Sequence, residues 1–197
     1  MTSERPTPIT DATVLRAIAH PVRTQVLGEL YAAGHARAAD IADALGIPAN
    51  QASFHLRQLA KYGVIEPAPE LARDGRDRVW KPVHERGLNL ELNEMEQDPG
   101  GRAAVAVWRR QAAQTAQAAV ARAYALPREK GTQVTIMENW VRLTKEEAEE
   151  LSQELSAMEE RWLRRTQAEP REGRRTYHVL QVLQPAQPTG VESDEPD

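Results

Sequence analysis

Apolar residues at helical spacing predict two short helices between residues 36 and 63. The first pattern has the i, i+3, i+4, i+7 spacing of one helix face and runs from Ala38 to Leu45. It stops at Gly46, since glycine adopts the left-handed conformation that ends a helix without a Cβ penalty. The second helix follows Pro48 and buries residues 52, 56 and 59 before ending near Gly63. Two short helices joined by a glycine-centred turn predict a helix-turn-helix.

The face of the second helix that remains outside is polar, and its only charges are positive. Its members are Asn50, Gln51, Ser53, Phe54, Arg57, Gln58 and Lys61. Amide and guanidinium groups bond bidentately to base edges, and Lys and Arg neutralise phosphates. The plain alternative is a helical hairpin whose polar face meets water. A solvated face normally mixes both signs of charge, whereas no carboxylate occurs between Asp43 and Glu66. The pattern favours contact with DNA.

The segment after Gly63 predicts a β-hairpin. Residues 64–65 begin an extended run, residues 78–83 alternate charged with apolar positions, and an Asp-Gly pair at 74–75 is typical of a hairpin tip. Three arginines lie at or near that tip: Arg73, Arg76 and Arg78. A helix-turn-helix followed by such a hairpin predicts a winged helix, with the helix in the major groove and the wing along the backbone or minor groove.

Residues 12–84 resemble the ArsR-type winged helix-turn-helix regulators of bacteria. The resemblance is carried by LRAIAHPVRTQVLGEL at 15–30, ADIADALGI at 39–47, QASFHLRQLAKYGVI at 51–65 and the DGRDRVWKP wing. It implies that residues 49–61 form the recognition helix and that its outward residues from Asn50 to Gln58 face DNA. The metal-sensing branch carries a Cys pair on the first helix of the motif. This chain has ADIADAL there and contains no Cys, so the resemblance is to non-metal-sensing members with a C-terminal extension.

The charge distribution is compatible with DNA binding although the net charge is −4. Residues 12–84 hold nine Lys/Arg and seven Asp/Glu, and the remaining residues hold 16 and 22. The acidic excess therefore lies away from the proposed DNA face, where it discourages non-specific binding to phosphates.

Composition also limits the classes of site. Without Cys there are no disulfides or thiolate metal sites, and the five His residues and the carboxylates lack metal-ligand spacing, so we predict no metal and no cofactor. No motif combines a nucleophile, a base and an orienting group, so an enzyme is not expected. No run approaches the roughly 20 apolar residues that span a bilayer, and the N-terminus lacks the features of a secretory signal. We expect a cytoplasmic protein.

The chain divides into five parts. Residues 1–9 are predicted to be a flexible arm, and 10–84 the winged domain, whose first helix is capped by Thr10 or Asp11. Residues 85–101 are predicted to be a linker ending in the breaker Asp98-Pro99-Gly100-Gly101. Residues 102–184 form a C-terminal region for dimerisation and a possible sensing role, and 185–197 a disordered acidic tail.

A long Ala-rich helix is predicted from residue 102 to 126. Its apolar side has two interpretations: an intramolecular core helix, or a homodimer interface, which the resemblance favours. An isologous dimer would place two recognition helices one DNA turn (~34 Å) apart on a near-palindromic operator.

The rest of the C-terminal region predicts a small α+β lobe. A capping box at Thr144–Glu147 starts a helix that reaches about Thr166, and residues 134–143 and 176–183 are candidates for two paired strands. Four aromatic residues of this region can be interpreted in two ways: they line an effector pocket, or they are packed in the core and the dimer interface, which is the interpretation we favour. They are Trp108, Trp140, Trp162 and Tyr177.

Together these patterns predict a mainly α protein with a small β component. The predicted function is a sequence-specific DNA-binding transcriptional regulator, a repressor acting as a homodimer. The predicted partners are double-stranded DNA and a second copy of the chain, with no membrane partner. Whether a small-molecule effector binds the C-terminal region is left open by the sequence. The alternative is a winged-helix protein–protein interaction module without sequence-specific DNA binding.

Overall fold

The structure is a computed structural model, which describes residues 9–72, 78–84, 87–125, 130–168 and 172–186. Within them the chain forms seven α-helices and one three-stranded antiparallel sheet. The helices are α1 (Ala12–Ile18), α2 (Pro21–Ala33), α3 (Ala38–Leu45), α4 (Ala49–Lys61), α5 (Leu92–Met95), α6 (Pro99–Tyr124) and α7 (Lys145–Gln167). The strands are β1 (Ala36–Arg37), β2 (Ile65–Pro67) and β3 (Val79–Pro82). The predicted fold class, mainly α with a small β component, is confirmed.

The helix-turn-helix forms with the predicted bounds. Gly46 ends α3 in the left-handed conformation (φ 63°), and Pro48 precedes the first turn of α4. The inner face of α4 buries Leu56 and Leu59 completely. They join a core to which α1, α2, α3 and the sheet all contribute. Burial of a leucine side chain stabilises the fold by roughly 1.5–3 kcal/mol, so this core holds the outer face of α4 in a fixed orientation.

The sheet has the order β1-β3-β2, with β3 in the centre. Strands β2 and β3 pair antiparallel, as the hairpin prediction requires, with Glu66 opposite Lys81. A short 3-10 helix (Pro69–Leu71) follows β2. Strand β1 was not predicted, because two residues are too few to show an alternating pattern. The predicted Asp-Gly tip at 74–75 lies outside the described residues.

Residues 87–98 pack against the winged domain. The amide of Ile9 donates to the carbonyl of Asn89 (2.8 Å), and the amide of Glu91 donates back to the carbonyl of Ile9 (3.1 Å). Met95, at the end of α5, is buried in the core. The segment predicted to be a linker therefore carries a helix and core contacts of its own.

The predicted breaker at residues 98–101 is instead the start of α6. Asp98 is the N-cap, and its side chain accepts from the amides of Gly100 and Gly101. Proline fits the first turn of a helix because its missing N–H leaves no bond unmade there. Gly101 is required by close packing, since a Cβ at that position would lie 1.7 Å from the carbonyl oxygen of Met95. Helix α6 thus begins three residues before the predicted start.

The C-terminal region differs from its prediction. Helix α7 forms with the predicted capping box: Thr144 Oγ1 accepts from the amide of Glu147, and the Glu147 carboxylate accepts from the amide of Thr144. The described residues 132–143 and 174–186 contain no strand, so the prediction that residues 134–143 and 176–183 pair within the chain is wrong.

Most aromatic side chains of this region lie outside the hydrophobic core of the described residues. Trp140, Trp162 and Tyr177 are all more than half exposed, and only Trp108 is half-buried against the main core. Trp140, Trp162 and Tyr177 therefore neither line an enclosed effector pocket nor pack in a core within the chain. Packing in a dimer is the part of the prediction that remains for them.

Candidate nucleic-acid interface

The outer face of α4 presents the side chains that the sequence predicted. Asn50, Gln51, Phe54, Arg57 and Lys61 are exposed, whereas Ser53 and Gln58 are half-buried at its margins. Phe54 is 49% exposed and is the one large apolar side chain on this face. An exposed phenyl ring between amide and cationic groups suits contact with a thymine methyl group.

Hydrogen bonds within α4 orient two of these side chains. Arg57 Nη1 donates to Ser53 Oγ at 2.6 Å, one helical turn away. Asn50 Oδ1 accepts from the amide of Gln51 at 2.9 Å, which occupies that oxygen at the start of the helix. The Ser53 contact holds the Arg57 guanidinium against the helix surface, so less side-chain entropy is lost when it binds a partner.

A histidine pair lies behind the recognition face. His55, on the inner side of α4, is only 5% exposed, and its ring centroid lies 5.1 Å from that of His20 at the N-cap of α2. Desolvation lowers the pKa of His55, and nearby His20 and Arg23 lower it further. Desolvation also lowers the pKa of His20, with a further contribution from Arg23. The packing between α2 and α4 therefore favours neutral histidines.

The wing contributes one described arginine. The guanidinium carbon of Arg78 lies 5.4 Å from the ring centroid of Trp80. Trp80 is almost fully buried, so this cation–π contact places the Arg78 charge on a rigid support. Arg78 directly precedes β3, and the two-residue alternation of an extended chain puts it on the same side as Trp80. The sequence pattern Arg-Val-Trp carries this signal. Arg73 and Arg76 lie outside the described residues.

Two other described cations of the winged domain, Lys81 and Arg37, are paired with carboxylates. Lys81 Nζ lies 2.9 Å from Glu70 and 3.5 Å from Glu66. The hydrogen bond from Lys81 lowers the pKa of Glu70, and the same bond raises the pKa of Lys81. Arg37 Nη2 lies 2.7 Å from Asp40 at the start of α3. These carboxylates neutralise the charges of Lys81 and Arg37. In contrast, Arg57 and Lys61 on α4 form no ion pair with any described residue.

Two further features are absent from the described residues. No group of three or more His, Asp or Glu side chains there is arranged to hold a metal ion. No described helix is long and apolar enough to cross a lipid bilayer.

Comparison with known proteins identifies the domain to which this face belongs. Residues 18–68 match a family described as a helix-turn-helix domain. The match runs from the end of α1 through α2, β1, α3, α4 and β2, so it contains the whole candidate interface on α4. No curated protein matches the chain. The fold, the polar and basic face of α4 and the family match agree on a helix-turn-helix domain in residues 18–68, which suggests a DNA-binding regulator.

Proposed function

We propose that the protein is a sequence-specific transcriptional regulator that binds double-stranded operator DNA through α4 and the wing. The observation that carries the proposal is the outer face of α4. It combines amide, hydroxyl and guanidinium donors with two cations, Arg57 and Lys61, and it contains no carboxylate. A rigid core behind the face supports it, as direct readout of bases requires.

Individual roles follow from side-chain chemistry. Asn50, Gln51 and Gln58 carry amides that pair bidentately with adenine, and Phe54 contacts a thymine methyl group. Arg57 reaches a guanine or a phosphate, Lys61 a phosphate, and Ser53 positions Arg57. In the wing, Arg78 on its Trp80 support contacts the flanking backbone. Arg73 and Arg76 are proposed for the same role from the sequence alone.

The proposed active form is a homodimer formed through α6. This helix has 26 residues, or about 39 Å of length. Only its N-terminal part is buried in its own chain, at Gly101, Ala104 and Val105. Beyond it, small residues such as Ala112 and Ala119 are half-buried and allow close approach of a second helix. A two-fold dimer matches a near-palindromic operator with half-sites about 34 Å apart.

Repression is the proposed mode of action, because a dimer bound across a promoter blocks polymerase without any further contact. The similarity of residues 12–84 to ArsR-type regulators supports this choice. No effector is assigned, since the aromatic side chains considered for an effector pocket are exposed.

The test is fluorescence-anisotropy titration of the purified protein with its own upstream region and with a scrambled duplex, across a salt series. We expect tighter binding to the upstream region and a linear fall of log K with log salt, whose slope counts phosphate contacts at about 0.9 per contact. Absence of binding to either duplex at low salt would refute the DNA-binding proposal and favour the protein-interaction alternative.

A further inference from the structure

The C-terminal arm, defined as the described residues 130–168 and 172–186, has almost no core of its own. No residue in it is fully buried. Its large apolar side chains are instead exposed, Met137 by 81% and Trp140 by 79%. Large apolar patches on a folded surface mark interaction sites. The arm therefore carries a surface that another molecule covers.

The arm is anchored to the winged domain at one end. Gln167 Nε2, at the end of α7, donates to the carbonyl of Tyr31 at 2.6 Å, and Thr176 Oγ1 bonds Glu29 at 2.7 Å. Both partners lie in the C-terminal half of α2. Helix α6 leaves the domain and α7 returns to it, yet the two do not pack extensively against each other in the described chain. Large apolar residues of both helices, such as Val120 and Trp162, therefore remain about half exposed.

Two segments of the arm have the composition of strands but lack a ladder. Within the described chain, no backbone hydrogen bond is made by residues 134–143 or 177–186. The amide of Gln133 donates to the hydroxyl of Tyr177 (3.3 Å), so the two segments begin close together. Irregular connections of such length are uncommon in compact domains. The segments TIMENWVRL and YHVLQVL are rich in β-branched and aromatic residues, the composition of strands. Unpaired strand backbone is a template for another chain.

The exposed apolar side chains are concentrated on α6 and the arm. Of the 18 exposed large apolar side chains among the described residues, three lie on α6 and twelve in the arm. Such a concentration on elements that follow each other in the chain is typical of one large interface rather than of scattered surface residues. A two-fold axis can cover the surfaces of α6 and of the arm in one dimer, because it brings the same patch of each copy together.

We propose that a second copy of this chain covers the arm, and that residues 134–143 and 177–186 of the two copies are hydrogen bonded in one intermolecular sheet. The α7 helices pack over that sheet and bury Trp140, Trp162 and Leu183. The inference rests on the proposed homodimer and adds a second, strand-mediated interface to the one on α6. The winged domains are then joined through interlocked arms as well as through one helix pair.

Hydrogen exchange with mass spectrometry, combined with sedimentation velocity on the full chain, tests the proposal. We expect a dimer in which amides of residues 134–143 and 177–186 exchange on the order of 100-fold more slowly than in an unstructured peptide. Leu183→Glu and Trp140→Glu should shift the dimer toward monomer and remove this protection. Leu71→Glu is the matched control, because Leu71 on the 3-10 helix of the winged domain is 43% exposed and Leu183 is 44% exposed. It should leave both readouts unchanged.

Each other outcome overturns the inference in a distinguishable way. A dimer with fast exchange in both segments, unaffected by Leu183→Glu, would leave α6 as the interface and the proposed function intact. Slow exchange in a monomer would show that the strands pair within the chain. A monomer with fast exchange would refute the arm interface and the proposed homodimer together, while DNA binding is measured separately.

Discussion

Replacement of Arg57 by alanine is the most direct perturbation of the proposed DNA contact. The side chain is exposed, and the contact it makes in the described chain is the 2.6 Å hydrogen bond to Ser53 on the same helix. Removing it opens no cavity in the core. We therefore expect the free energy of unfolding to change by no more than about 0.5 kcal/mol, so a change in DNA affinity reports on binding.

The size of the loss in DNA affinity depends on which group Arg57 contacts. Loss of one arginine contact to a base or phosphate weakens binding by on the order of 1–3 kcal/mol, which is about 5- to 150-fold in Kd. If the partner is a phosphate, affinity falls for all sequences and the salt slope decreases by about 0.9. If the partner is a guanine, the loss is concentrated on the cognate site and discrimination against the scrambled duplex decreases.

Anisotropy titrations with both duplexes at several salt concentrations separate these cases. Arg16→Ala is the control, since Arg16 is an exposed cation on α1, outside α4, the wing and the proposed dimer interface, and its removal changes the net charge by the same amount. We expect the control to bind like the unmodified protein, apart from a small general electrostatic effect. If Arg57→Ala binds the cognate duplex with unchanged affinity and salt slope, Arg57 does not contact DNA and the proposed orientation of α4 is wrong.

Two further predictions concern the scaffold. Folding lowers the pKa of His20 and His55 below the ordinary value of 6.5, so the unfolded chain binds more protons than the folded chain as the pH falls through 6.5. The free energy of unfolding should therefore be largest above about pH 6.5 and decrease on acidification. Denaturant titrations from pH 8 to 5 measure this, and a pH dependence that is not reduced in His55→Gln would contradict it. Gly101→Ala should destabilise the fold by about 1–3 kcal/mol through collision with Met95. Gly28→Ala, with open space around it in α2, should instead stabilise by up to about 1 kcal/mol; equal thermal shifts of the two variants would refute the packing argument.

Local sequence was sufficient to predict the recognition unit. The period of apolar residues, the left-handed Gly46 and the position of Pro48 predicted helices at 38–45 and 49–61, and the structure has both. The reason is that these signals act within one or two helical turns, where backbone sterics and capping decide the conformation. Thr144 is a second case, since a capping box needs only side chains three residues apart.

Tertiary structure decided the features that depend on contacts distant in the chain. Strand β1 exists because β3 offers it a partner some forty residues later, and α6 begins early because Gly101 fits against Met95. The same dependence explains the failed prediction in the C-terminal arm. Residues 134–143 and 176–183 were predicted to be strands, but a strand needs a neighbour to satisfy its backbone, and the described part of the chain does not supply one. Helices contain their hydrogen-bond partners in their own sequence, whereas strands depend on whatever is packed beside them.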